Sequence, residues 1–192
     1  MPWEKQFDED KVLDKAMRAF WLRGFKGTSM KDLVAETGLN PGSIYAAFKD
    51  KEHLFQLCLA KYEEQTTQSM GKLENTYSPR DAILSLFDTL IAEVDGGGES
   101  CGCFIMNSVL EAGPQDDEVT QIIQRSLAQV ETLICNLIRK GQEVGEISAD
   151  VDPGQTARLI QGLLAAARLM ARAKRDHPFI KESREHAENL LS

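Results

Sequence analysis

Positive charge is scarce in this chain. Its 22 Lys and Arg stand against 30 Asp and Glu, a formal net charge of -8. That balance excludes a protein that grips polyanions through a broad basic surface. Long apolar runs are missing as well. Uncharged apolar-rich runs such as 159–167 are too short to cross a bilayer. The first eight residues, Met1-Pro2-Trp3-Glu4-Lys5-Gln6-Phe7-Asp8, lack an apolar secretory core, so no signal peptide is expected. Four cysteines without such a signal predict reduced thiols in a cytoplasm. No strand alternation of useful length appears, and no repeat of solenoid period. Paired carboxylates at a fixed motif, a nucleophile elbow and a phosphate-cradling glycine loop are absent too. What remains is an ordinary globular composition, 42% hydrophobic and 27% charged. The expectation is an all-α cytoplasmic protein that is not an enzyme, with no cofactor, no metal site and no membrane contact.

What the chain does contain is concentrated in residues 28–55. Ser29 is a good helix N-cap, and Asp32 three residues on makes an acidic capping box. Leu33, Val34 and Ala35 give a short apolar face, and Gly38 falls where a helix needs a left-handed terminator. Asn40 caps again, with Pro41 at the first helical position. This second helix lasts about two turns, to Phe48. Asp50 then caps a third start. Helix, glycine turn, short helix is the helix-turn-helix unit, whose second helix enters the major groove. Asn40, Pro41, Gly42 and Ser43 are small or polar, which suits a helix N-terminus pressed against DNA, and its amides suit phosphate oxygens.

The run Phe20, Gly24-Phe25, Thr28-Ser29, Ala35, Gly38-Leu39, Gly42-Ser43-Ile44-Tyr45, Phe48, Lys51 and Leu54 resembles the DNA-binding domain of the tetracycline-repressor-like (TetR) family of bacterial regulators. The likeness covers roughly residues 8–60. It departs from the family at Ala46 and Ala47, where an aromatic or histidine is common. The resemblance implies a double-stranded DNA operator as partner. The residues expected to touch it are Thr28, Ser29, Asn40, Pro41, Gly42, Ser43, Tyr45, Lys49 and Lys51. Several have a second reading. Tyr45 serves either as a core aromatic or as a phosphate donor, Thr28 and Ser29 either as caps or as phosphate contacts, and Lys51 either as a solvated charge or as a phosphate contact. Phe48 reads as core.

Charge distribution accommodates this. Residues 1–60 hold nine basic and nine acidic residues, so the whole excess of negative charge lies in 61–192. A neutral reading head on an acidic body can bind DNA through local phosphate contacts.

The periodicity predicts a first helix over 8–24, ended by Gly24, and a fourth from Asp50 to near Leu73. Trp21, beside Phe20, reads as a cover for the small core. We divide the chain near residue 60, inside the fourth helix: 1–60 a three-helix DNA-binding domain, 61–192 a helical effector-binding and dimerisation domain. Further helices are expected over 79–95, 101–112, 116–143, 153–175 and 178–191. The 153–175 segment is apolar or small around much of its cylinder, which calls for burial on more than one side. The last two helices are therefore the dimerisation candidates, against the alternative of a core helix in a monomer. The family resemblance implies a dimer built from the last two long helices of each subunit.

Cys101-Gly102-Cys103 is the other local signal. It reads as a buried Cys103 beside an incidental Cys101, as a thiol sensor, or as part of a metal site, for which His53, His177 and His186 are not clustered with it in sequence. Gly102-Cys103-Phe104-Ile105-Met106-Asn107 resembles a segment of some TetR-like proteins, a subset of which are thought to sense electrophiles or oxidants. Spacing puts Cys103, Asn107 and Leu110 on one helix face. The expected effector site is Phe87, Cys103, Met106, Asn107 and Leu110. The function expected is a DNA-binding transcriptional regulator, a repressor released from a near-palindromic operator by a small-molecule effector. The alternatives are a thiol-based sensor acting through Cys103 or Cys101, an all-helical enzyme, and a helix-turn-helix fold kept for protein contacts.

Overall fold

The computed structural model describes residues 7–97, 102–111 and 117–192. Among these the chain forms helices only: α1 Glu9–Gly27, α2 Met30–Thr37, α3 Pro41–Phe48, α4 Lys51–Thr76, α5 Pro79–Asp95, α6 Phe104–Val109, α7 Asp117–Glu143, α8 Pro153–Ala173 and α9 Phe179–Asn189. Local chemistry sets most of the starts. The side chains of Asp8, Ser29, Asn40, Asp50, Ser78 and Asp152 each accept a backbone N–H three residues on. Ser29 and Asp32 form the reciprocal capping box, and Gly38 closes α2 at φ 77°.

The larger departures from the expected boundaries are three. The backbone leaves helical geometry at Gly24, with φ 77° and ψ 170°, but one more turn follows to Gly27. That conformation is open almost only to glycine. Helix α4 runs three residues beyond Leu73, to Thr76. The helix expected over 101–112 shrinks to Phe104–Val109. Cys101 lies outside the described residues.

Apolar side chains gather in two large clusters. The first joins Phe20, Leu33, Ile44, Phe48, Leu54 and Phe55 of the first four helices to Phe104, Ile105, Val119 and Ile122 of α6 and α7. The second packs Ile83 and Phe87 of α5 against Ile134 and Ile138 of α7, Ile160 of α8 and Ala187 of α9. Burying a large aliphatic or aromatic side chain contributes roughly 1.5–3 kcal/mol, so these clusters supply most of the driving force. The first cluster continues across residue 60, so α6 packs directly on α1 and α4, and α7 on α4. Helix α9 keeps its apolar side, Ile180, Ser183 and Ala187, for its own chain. Arg184–Asp88 (2.6 Å) and Arg80–Glu188 (2.9 Å) fasten it to α5.

Candidate DNA interface and effector cavity

Helix α3 turns Ile44 and Phe48 inward and leaves Pro41, Gly42, Tyr45, Ala46 and Lys49 outside. Tyr45 is half exposed, at 50%. Tyr45, one residue on from Ile44, lies on the neighbouring stripe, and Lys49 follows exposed just past the helix end. Phe48 is core, as expected. The Asn40 side chain accepts the Ser43 N–H at 2.9 Å and fixes the first turn. The Ser29 hydroxyl is engaged with Asp32 at 2.5 Å. Lys49 ends the helix in an unusual way. Its backbone sits at φ 63°, ψ -66°, and Asp50 N–H donates to the Phe48 carbonyl at 2.7 Å. This is a γ-turn of the rare, positive-φ kind, strained for any residue with a side chain.

Two expected DNA contacts turn out to be internal. Thr28 is fully buried, and its hydroxyl donates to the Gly24 carbonyl at 2.6 Å. It cannot reach a phosphate. Lys51 directs its ammonium inward, to the carbonyls of Phe25 (3.0 Å) and Thr28 (3.1 Å), and lies 4.2 Å from the Phe25 ring centre. The Gly24 break aims those carbonyls at it. Lys51 is therefore a clamp on the α1–α2 junction. The exposed lysines of this head include Lys26, Lys31 and Lys49.

A cavity of about 420 Å³ lies inside the body. Its walls come from α4 (Tyr62, Thr66, Met70, Leu73), α5 (Leu86, Thr89), the α6 segment (Cys103, Ile105, Met106), α7 (Ser126, Leu127, Val130) and α8 (Gln161, Leu164, Arg168). One wall residue, Trp21, belongs to α1 of the DNA-binding head. Its ring meets Tyr62 edge-on at 5.1 Å and lies 6.0 Å from Phe104. The Tyr62 hydroxyl donates to the Cys103 sulfur at 3.7 Å. Burial, with Cys103 beside it, holds the Tyr62 phenol well above its ordinary range, so it stays a donor. The Glu63 carboxylate takes both Nε (2.6 Å) and Nη2 (2.5 Å) of Arg125.

Of the expected effector residues, Cys103 and Met106 line this cavity. Phe87 is fully buried in the second cluster, away from the walls. Asn107 and Leu110 are not in the walls either, and Leu110 is 83% exposed. The reason is the shortness of α6. Cys103 is its extended N-cap and Leu110 lies past its end, so the face assumed for a longer helix does not form. Trp21, Ser126 and Arg168 were not expected. The α4 wall had a sequence signal, because Tyr62, Thr66, Met70 and Leu73 recur at i, i+4, i+8 and i+11.

Cys58 is buried, its thiol pushed far up by desolvation, and donates to the Leu13 carbonyl at 3.7 Å. It is not a reactive thiol. No group of three or more His, Cys, Asp or Glu suited to a metal ion occurs among the described residues. Nor, among them, is any helix long and apolar enough to cross a membrane.

A capped recognition helix with an exposed polar start, carried on a helical body with a mainly apolar cavity, defines a helix-turn-helix transcriptional regulator. The chain belongs to the tetR family of bacterial regulatory proteins. Residues 12–58 match that family's DNA-binding model, and residues 79–187 match the tetracyclin repressor-like C-terminal domain. It is similar to the HTH-type transcriptional repressor ComR of Escherichia coli K12, 29% identical over 170 residues, covering 85% of this chain and 81% of that one. A Bacillus subtilis regulator, YezE, is 28% identical over 158 residues, covering 81% of each. Among solved structures, reduced Escherichia coli NemR superposes with TM-score 0.86 at 20% identity, covering 95% of this chain and 96% of that one. A cysteine-substituted CifR bound to a 26-bp operator duplex superposes with TM-score 0.79 at 26% identity, covering 96% and 95%.

Proposed function

We propose that the protein is a homodimeric repressor that leaves a near-palindromic operator when a small, mainly apolar effector fills the cavity. The observation that carries this reading is the composition of the cavity wall, in which Trp21 of the head sits with residues of α4 to α8. A ligand there touches both the reading head and the body, with no flexible linker between them. Residues 1–60 act as the head and 61–192 as the effector and dimerisation body. DNA contacts come from Ser29, Asn40, Pro41, Gly42, Ser43, Tyr45 and Lys49. The protein works by binding rather than by turnover, in the cytoplasm.

We place the dimer face differently from the sequence expectation. Helix α9 spends its apolar side inside its own chain. Helix α8 instead leaves Leu159 (56%) and Leu169 (55%) exposed, with open space over Gly162 between them. Helix α7, the other long C-terminal helix, is tied alongside by Arg158–Glu131 at 3.2 Å. Two copies meet through α8 and the adjoining face of α7. Two-fold symmetry then requires inverted half-sites, roughly 34 Å or a multiple apart.

The effector acts only through its different affinity for the DNA-competent and DNA-incompetent conformers. A hundredfold loss of operator affinity needs about 2.7 kcal/mol of coupling. The test is a screen of apolar compounds read by release from the duplex upstream of the protein's own gene. By linkage the duplex must weaken effector binding by the same factor. An effector bound equally well with and without operator refutes the coupling.

A second reading has one observation in its favour: Cys103 lines the same cavity and accepts a hydrogen bond from Tyr62. A covalent trigger there would be an electrophile or oxidant. Cys103→Ser would then abolish the response while leaving a non-covalent effector's response in place.

A further inference from the structure

Buried polar side-chain atoms in folded proteins are almost always hydrogen-bonded. Among the described residues two are not: the indole Nε1 of Trp21 and the hydroxyl of Ser126. Both residues line the cavity, with the two polar atoms buried just behind its surface. Ser126 is only 9% exposed. They come from different helices, α1 and α7, and flank the same turn of α4. Trp21 packs on Tyr62, and Arg125, next to Ser126, holds Glu63.

Several neighbouring polar groups are engaged elsewhere. Arg125 takes both Glu63 oxygens, the Gln129 carbonyl accepts from Thr67 at 3.2 Å, and the Gln161 amide donates to the Leu127 carbonyl at 2.8 Å. The imbalance has a sign. An indole N–H only donates, and a hydroxyl can donate. Arg168 adds a cation to the wall, held loosely by Glu93 at 3.7 Å. The rest of the wall is largely aliphatic and aromatic. What these two groups lack is an acceptor.

We propose that the cavity takes a molecule with an apolar skeleton and an sp² oxygen acceptor, a ketone-like carbonyl or a carboxylate, which receives the Trp21 indole N–H and the Ser126 hydroxyl. This rests on the effector reading above and names the ligand chemistry of that site. It also gives Trp21 a specific role. The acceptor ties α1 of the head to α7 of the body, so the ligand's polar end is what reaches the DNA-binding unit.

The probes are benzophenone, diphenylacetate and diphenylmethane, matched in skeleton and differing in the acceptor. Binding to the whole protein without DNA is followed by calorimetry and by the indole N–H proton resonance of Trp21, assigned through Trp21→Phe. The expected result is that the better of the two oxygen-bearing probes binds at least about tenfold more tightly than diphenylmethane. The indole resonance should move only with the oxygen-bearing probes. A stronger diphenylacetate identifies the acceptor as a carboxylate facing Arg168, and a stronger benzophenone identifies it as a neutral carbonyl. Ser126→Ala removes a hydroxyl that bonds nothing, so it should fold with undiminished stability and lose most of the preference. Trp21→Phe should lose it too, and Ser126→Ala decides the matter if that variant folds poorly. Equal affinity for all three probes, or a preference that survives Ser126→Ala with a still indole resonance, overturns the proposal. It would mean that water alone satisfies the two groups. Operator release is measured separately. Acceptor-dependent binding without release sinks the effector reading and keeps the ligand chemistry, whereas binding of none of the three sinks both.

Discussion

The carboxylate of Glu111 lies directly over Gly24, in the space that a β-carbon on that glycine would fill. Its Oε2 accepts the Lys26 N–H at 3.2 Å. Glu111 follows α6, whose segment forms one wall of the cavity, and Gly24 is where α1 breaks. A single contact thus joins the cavity wall to the base of the reading head. Gly24→Ala meets two obstacles at once, the positive φ and the carboxylate. Strain of that kind costs about 1–3 kcal/mol before the displacement of Glu111 is counted. We expect a lower urea midpoint for Gly24→Ala, with operator affinity reduced in the folded fraction. Glu111→Ala should restore part of the stability when added to Gly24→Ala. Two additive losses in that double variant would show that the residues do not interact.

Lys51 was expected at the DNA surface and is found at the α1–α2 junction. Lys51→Met keeps the aliphatic stem and removes the charge, taking the ammonium donor from the Thr28 carbonyl and leaving the Phe25 carbonyl only the Thr28 N–H. The expected loss is about 1–3 kcal/mol of stability, since charge-assisted bonds are worth more than neutral ones. The salt dependence of operator binding should barely change, because no phosphate loses its counter-charge. A salt slope reduced by about one unit at unchanged stability would return Lys51 to the DNA.

Lys49 presents the opposite case. Its backbone strain is relieved by glycine, so Lys49→Gly should raise the thermal midpoint by an amount worth about 1 kcal/mol or more. The same change removes a cation at the end of α3. Operator affinity should fall for all sequences alike, with the salt slope shallower by about one unit. A variant that is both more stable and equally tight on DNA would leave Lys49 with no part in binding.

The helix-turn-helix unit was legible because its signals are local. Ser29 with Asp32, Gly38, and Asn40 with Pro41 each act within a few residues, and each formed as read. The cavity was not legible in the same way. Its walls come from six segments, and no spacing rule relates Trp21 to Ser126 or Arg168. The face drawn through Cys103, Asn107 and Leu110 failed because it assumed a longer helix than the six residues of α6. Thr28 and Lys51 were misplaced for a related reason. Sequence marks them as polar residues near a helix start, but only the Gly24 break shows that their polar atoms have partners inside.

The capping box sets one pH dependence. Ser29 donates to the Asp32 carboxylate from both its backbone N–H, at 2.8 Å, and its hydroxyl, and Arg23 stands 3.5 Å away. The hydrogen bonds first, and then Arg23, hold the Asp32 carboxyl below its ordinary value. A carboxyl lowered in the folded state contributes stability above its unfolded pKa and loses it as pH falls through the folded one. The cap should therefore be constant through neutral pH and loosen below about pH 4. Asp32→Asn should lower the urea midpoint at neutral pH and flatten its decline in acid. An unchanged acid limb would mean that the box contributes nothing to that decline.

The exposed stripe on α8 gives the strongest test of assembly. Leu159 and Leu169 are more than half exposed in the single chain, so replacing them by Glu should leave the fold intact. In a dimer closed through α8 both would be buried, and a carboxylate there would have to lose its water without a partner. Leu159→Glu with Leu169→Glu should therefore sediment as a monomer at micromolar concentration. Leu110→Glu, even more exposed but away from this stripe, should remain dimeric. Operator affinity should follow assembly. Two linked heads engage the second half-site at an effective concentration near millimolar, so separating them costs on the order of a hundredfold to ten-thousandfold. A single half-site should be bound equally by the parent and the monomeric variant, because the head itself is untouched. If the double variant still sediments as a dimer, the two chains meet elsewhere, and α8's exposed leucines are not the face that sets the spacing of the heads.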